Sequence, residues 1–260
     1  MKYLITERQL KLIKEQDEIL ELDFDFFNNN WDILQRFVKR RGNPPYIITG
    51  NLYLENTDIK SLGNLQSVGG ELDLYKTNIQ SLGNLQSVGG YLDLRESKIQ
   101  SLGNLQSVGG DLYLNNTKIE SLGDLQSVGG YLNLYKTNIQ SLGNLQSVGG
   151  FLNLTYSEIQ SLGNLQYVGG GLDLDDSKIE SLGNLEYVGG NFYLYDLKIE
   201  SLGNLQSVGG NLDLNSTKIE SLGNLQSVGG NLYLNRTPLS KITTEKEIRN
   251  QVEVGGGIYL

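Results

Sequence analysis

The chain has 260 residues, no cysteine and no histidine, and a net charge of -9 from 21 basic and 30 acidic residues. Without Cys and His there is no zinc site of the usual kind, no thiol nucleophile and no imidazole base; the expectation is no metal, no catalytic residue and no cofactor. The acidic balance argues against nucleic acid as a partner, because such binding needs a basic footprint.

The opening, MKYLITERQL, lacks an apolar h-region, so no signal peptide is expected and the protein is placed in the cytoplasm of the producing cell. No apolar run reaches the length of a membrane span. Thr6 followed by Gln9 is a capping-box signal for a helix to about Glu18, with Leu10, Ile13 and Leu20 as candidate buried residues. Leu20, Leu22, Phe24 and Phe26 then alternate with acidic residues, which predicts a strand or extended lid. Asn30 is placed to cap a second helix, Trp31 to Arg41, with Trp31, Leu34, Phe37 and Val38 as its apolar stripe and Gly42 and Pro44-Pro45 as its stop. Residues 1–45 thus read as a helical N-terminal cap.

From Asn51 to Gly230 the chain repeats every 20 residues without a slip, giving nine units, with a tenth begun at Asn231. The unit is x-L-x-L-x-x-T-x-I-x-S-L-G-N-L-Q-S-V-G-G. It is too short and glycine-rich for a helix, and x-L-x-L is a strand with one buried face. In the first unit Leu52, Leu54, Ile59, Leu62, Leu65 and Val68 define six inward ladders. Gly63 marks a bend, and Gly69-Gly70 is expected to turn with positive φ. Stacked coils pair each strand in parallel with its copy at a step of about 4.8 Å, so ten coils make a rod of roughly 48 Å. The Thr57 series, running through Thr77, Ser97 and onward to Thr237, is expected to form a hydroxyl ladder bonded to turn backbone. The Asn64 series should form a second polar ladder with Asp124 as its charged rung. In unit eight, Phe192 for Leu and Leu197 for the hydroxyl should compensate each other or bulge.

After residue 240 the pattern changes. Leu239 and Ile242 match the usual Ile and Leu, Thr244 and Glu247 make a capping box for a short helix to about Gln251, and residues 254–260 restore V-G-G-x-L-x-L as an eleventh strand. Residues 46–240 are therefore read as the solenoid and 241–260 as a C-terminal cap. The expected fold is mainly β: a parallel β-solenoid with a helical N-terminal cap and a short helix-and-strand C-terminal cap.

The segment L-x-L-x-x-T-x-I-x-S-L-x-x-L resembles a leucine-rich repeat, with Thr where that family usually has Asn. The V-G-G-x-L-x-L approach is similar to the L domains of receptor ectodomains. Over residues 46–240 this resemblance implies a right-handed solenoid of leucine-rich-repeat type whose strand face binds partners. MKYLITERQLKLIKE also resembles the opening of many tailed-phage proteins, which implies a phage-encoded repeat protein that is cytoplasmic or virion-associated.

Variation among the units points to where function resides. The S-L-G-N-L-Q-S-V-G-G half is nearly fixed, whereas the outward first, third and fifth positions change in almost every coil. Eleven of the 15 tyrosines lie on the strand or the two residues after it, and Tyr, Asn and Asp are the residues of adaptable binding surfaces. Tyr91, Asp111, Tyr113, Tyr131, Tyr135 and Phe151 are the candidate partner-binding residues, forming a patch for a protein or a glycan. Two other readings are an acidic inhibitor that mimics nucleic acid, and a β-helical carbohydrate-active enzyme using the adjacent Asp73 and Asp93.

Overall fold

A computed structural model describes residues 19–260. The first expected helix, with Thr6, Gln9, Leu10 and Ile13, lies outside the described residues. Each 20-residue unit contributes two short strands, the S-V pair and the x-L-x-L segment, and each strand pairs in parallel with its copy one unit on, as Ser127 does with Ser147 and Leu132 with Leu152. The result is a β-solenoid with a 12-stranded sheet, here the S-V sheet, and an 11-stranded sheet, here the L-x-L sheet. The third side is barely paired: isolated bridges join Ser81 to Ser101, Ser121 to Ser141 and Ser161 to Ser181, so coils meet there in alternate pairs.

The six inward ladders are present. In the fifth unit Leu132, Leu134, Ile139, Leu145 and Val148 are fully buried and Leu142 nearly so. Burying one such side chain contributes about 1.5–3 kcal/mol, and no single coil could enclose them alone. In unit eight, Phe192 and Leu197 are both buried and Phe192 pairs in register with Leu172 and Leu212, so the larger groups fit without a bulge.

The glycines divide into two kinds. Gly63 and its copies have φ between 55 and 61°, as a left-handed bend requires. The paired glycines do not: Gly69, Gly70 and their copies are absent from the positive-φ residues, which corrects the expected turn. They are glycine because successive coils touch there backbone to backbone. A Cβ on Gly109 would sit 2.2 Å from the Gly89 carbonyl oxygen. Positive φ falls instead on the sixth residue of every unit, from Asn56 to Arg236, at 52–63°. The hydroxyl of the seventh residue tightens that turn. Thr57, Thr77, Ser97, Thr117, Thr137, Thr217 and Thr237 each donate to the leucine carbonyl three residues back, at 2.6–2.8 Å. Ser157 and Ser177 make no such bond; the Ser157 hydroxyl is buried without a partner among the described residues, and Ser177 accepts from the Ile179 amide. The asparagine ladder is broken into pairs, Asn84 to Asn64 and Asn144 to Asp124, both 3.2 Å.

At the start of the rod, β1 (Leu20–Leu22) and β2 (Tyr46–Ile48) extend the S-V sheet below the first unit. The alternation through Phe26 does not continue as strand. The Asp23 carboxylate accepts from the Asp25 amide and starts a 3₁₀ turn over Phe24–Phe27, which leaves Phe26 exposed. Helix α1 (Trp31–Lys39) has Asn30 as its cap, accepting from the Ile33 amide, and buries Leu34 and Val38. Trp31, Phe37, Phe27 and Leu20 pack partly buried against the same core. The buried Tyr46 hydroxyl donates to the Leu62 carbonyl and accepts from Gln35, both at 2.8 Å, tying helix to coil.

At the far end Leu239 is buried as expected but Ile242 is not. A 3₁₀ turn over Leu239–Lys241 carries Ile242 outward to 76% exposure. Ile248, on helix α2 (Glu245–Arg249), and Val252 are the buried apolar pair instead. The Thr244–Glu247 capping box is formed.

Two pairs of substitutions test this account. Gly123→Ala, where only positive φ opposes a side chain, should cost about 1–2 kcal/mol; Gly109→Ala, which must push coils apart, should cost about 3 kcal/mol or more. The reverse order in denaturant unfolding would place the constraint in φ rather than in contact. Leu134→Ala should cost about 2–5 kcal/mol, while the exposed Gln146→Ala should stay within about 0.5 kcal/mol.

Candidate binding face

The outward positions of the L-x-L sheet follow two hydrogen-bonding patterns. Where the third residue of the unit is Asp or Asn, its side chain folds back on the strand. Asp73, Asp93, Asn133, Asn153, Asp173 and Asp213 each accept from the amide two residues on, at 2.8–3.1 Å. Where the third residue is Tyr in units one, four, eight and ten, the first is Asn or Asp. Asn51, Asp111, Asn191 and Asn231 bond the hydroxyls of Tyr53, Tyr113, Tyr193 and Tyr233 at 2.7–3.1 Å. The Oδ1 atom of each accepts the amide of the first residue of the next coil, as Asp111 does from Tyr131 at 2.7 Å. The Asn and Asp content of this face therefore serves backbone groups first. The coupling of positions one and three is legible in the sequence, in the pairing of Asn/Asp-x-Tyr against x-x-Asp/Asn.

The six candidate residues fall into three places. Tyr113, Tyr131 and Phe151 form a ladder, with ring centroids 5.9 Å apart at both steps. All three are half-buried. Asp111 braces the ladder through the Tyr113 hydroxyl and the Tyr131 amide, so it acts as a strut rather than a free acceptor. Phe151 lies over Gly171 of the next coil, where a Cβ would come within 2.9 Å of its ring. The outward phenylalanine thus covers the gap a glycine leaves on the sheet. Tyr135 is separate: its ring meets Tyr156 edge-on at 5.7 Å, with the Lys136 ammonium near both. Tyr156, exposed at the positive-φ corner, was not among the candidates, because the corner position is not part of the strand alternation. Tyr91 makes no ring contact among the described residues. Burial first, and then the charges of Asp73 and Glu71, push its hydroxyl up to about 12. Beside the ladder, the Arg95 guanidinium lies between Tyr75 and Tyr113, 5.7 and 5.1 Å from their rings.

Asp73 and Asp93 do stand in register on neighbouring strands. Asp93 is buried and its carboxylate takes the Arg95 amide, Nε and Nη2 at 2.5–3.0 Å. Asp73 accepts from the Tyr75 amide, and burial, followed by the Asp93 charge, raises its carboxyl above the ordinary range. Both side chains are thus committed to neighbours. Among the described residues no group of three or more Asp, Glu, His or Cys is arranged to hold a metal ion, and no helix is long and apolar enough to cross a membrane.

The S-V sheet also departs from uniformity. Tyr167 and Tyr187 replace the serine of the unit and stack at 5.1 Å with planes 6° apart, both exposed. Tyr167 stands at the end of a shallow groove of about 500 Å³ floored by Ser67, Ser87, Ser107, Ser127, Ser147 and the glycines beside them. No family model matches the chain, and no curated protein has a similar sequence.

Charge on the face can be read through pH. Asp175 is pushed up to about 6, first by burial and then by Asp173, against the bond from the Tyr195 amide. An acid whose pKa rises on folding holds its proton more tightly in the folded state, so its ionisation destabilises the fold as pH climbs from the ordinary carboxylate range through 6. Asp175→Asn keeps the acceptor for Tyr195 and removes the charge. Its melting temperature should exceed that of the parent at pH 7 and match it near pH 4, which is about the unfolded carboxylate value. A constant difference across that range would assign the effect to something other than ionisation.

Proposed function

We propose that this protein is a non-enzymatic binding module that offers the L-x-L sheet face to a protein or glycan partner. One observation carries the reading: the Tyr113–Tyr131–Phe151 ladder is half-exposed, contiguous and held rigid from below. Asp111 braces two of its members, and the strands beneath are fixed by their copies above and below. Aromatic area that is already ordered loses little conformational entropy on binding, which is how preorganised surfaces gain affinity. The polar residues around it, with Arg95 between two tyrosines, supply a rim. The likeness of the unit to leucine-rich repeats supports the same use of the strand face. The likeness of residues 1–15 to tailed-phage proteins supports a phage setting, on the virion or against a host protein.

The test uses the protein and its Tyr131→Ala/Phe151→Ser variant as paired baits. A partner held by the first should bind the variant at least tenfold more weakly. The variant's melting temperature should fall by only a few degrees, in line with cross-strand pairs of about 0.2–1 kcal/mol each. Equal retention with a lower melting temperature would make the ladder a purely structural device. Binding that vanishes on adding salt would favour the acidic-mimic reading instead.

A further inference from the structure

Every junction between successive repeat units in the S-V sheet uses the same two acceptors. The Val68 carbonyl takes the Gly89 amide at 2.8 Å and the Gly70 carbonyl takes the Gly90 amide at 2.7 Å. The pattern continues to the last junction, where Val228 and Gly230 take the amides of Gly255 and Gly256, both at 2.9 Å. The last strand, Glu253–Val254, is the edge of the sheet, and its corresponding acceptors are the carbonyls of Val254 and Gly256. Both are occupied. Arg249 of α2 donates from Nη1 to Val254 at 2.8 Å and from Nη2 to Gly256 at 2.9 Å, while its Nε donates to Glu245 at 2.9 Å. One guanidinium therefore makes the two hydrogen bonds that the glycine pair of another coil would make. Its planar fork suits the task, since it offers parallel donors at fixed spacing and brings a charge that resists burial.

We propose that Arg249 closes this edge against strand addition by a second copy of the chain. The copy is the occupant that fits. A residue's N–H and C=O point to the same side of a strand, so Val254 of each copy can pair with Val254 of the other across a two-fold axis, the commonest symmetry of protein dimers. The same last coil exposes Ile242 at 76%, Tyr259 at 47% and Leu260 at 41%, apolar surface that a tail-to-tail dimer would bury. This inference does not depend on what the L-x-L face binds.

Sedimentation velocity over a concentration series, on the full chain and its Arg249→Ala and Arg249→Met variants, tests it. Methionine keeps the length and helix preference of the side chain without its donors. Both variants should keep the far-UV spectrum and shift with concentration toward twice the mass of the chain, while the parent does not shift over the same range. Variants that keep the spectrum and the parent's sedimentation profile would overturn the proposal. So would dimerisation of the parent to the same extent. Loss of the folded spectrum in both variants would also overturn it, by making Arg249 a requirement of folding rather than a guard of the edge.

Discussion

The structure depends on one contact: backbone against backbone at the paired glycines, where each coil passes from the S-V sheet to the L-x-L sheet. With no side chain between them, Gly89 and Gly109 approach to a distance that a single methyl group would forbid. That contact holds the coils in 20-residue register, and the register brings like onto like in the six core ladders. A slip by one residue would move every leucine to the wrong face. The near-identity of the S-L-G-N-L-Q-S-V-G-G half thus has a physical source in the geometry each coil must present to the next.

The same register governs the outer face. Each outward side chain sits beside its copies, about one strand spacing away, and between local backbone groups that need partners. Asn and Asp answer that need within their own strand from the third position or across to the next coil from the first, and in the repeat units a third-position tyrosine occurs only where the first position holds Asn or Asp. What reads as free variation is constrained by pairs. The rings are correspondingly ordered: Tyr113 is held through its hydroxyl and Phe151 by the gap over Gly171. A surface preordered in this way is suited to recognition, and its polar residues are less available for it than their number suggests.

The ends of the rod solve a different problem, because there the register has nothing to continue into. At the start, two added strands and the packing of α1 extend the sheet and cover the core, with buried Tyr46 joining them. At the far end a five-residue helix supplies Ile248 for the core and Arg249 for the sheet edge. The first device adds apolar structure, whereas the second substitutes side-chain donors for backbone ones.

The sequence by itself determined the coil, its period, the inward ladders and the caps of α1 and α2, because periodicity and capping are local codes carried by residues a few positions apart. It also marked out the outward residues from which the candidate face is drawn. Only the tertiary structure decided how they group, since Tyr131 meets Tyr113 and Phe151 across coils while Tyr135 turns to Tyr156. The role of the paired glycines was likewise hidden, because a residue chosen for closeness and one chosen for positive φ look alike in a sequence. Phe26 continued an alternation, and Ile242 a ladder spacing, that the backbone had already left after Asp23 and Pro238 began 3₁₀ turns. The part of Arg249 depends on acceptors that become vacant only when a sheet ends, which is a property of the assembled rod and of no segment within it.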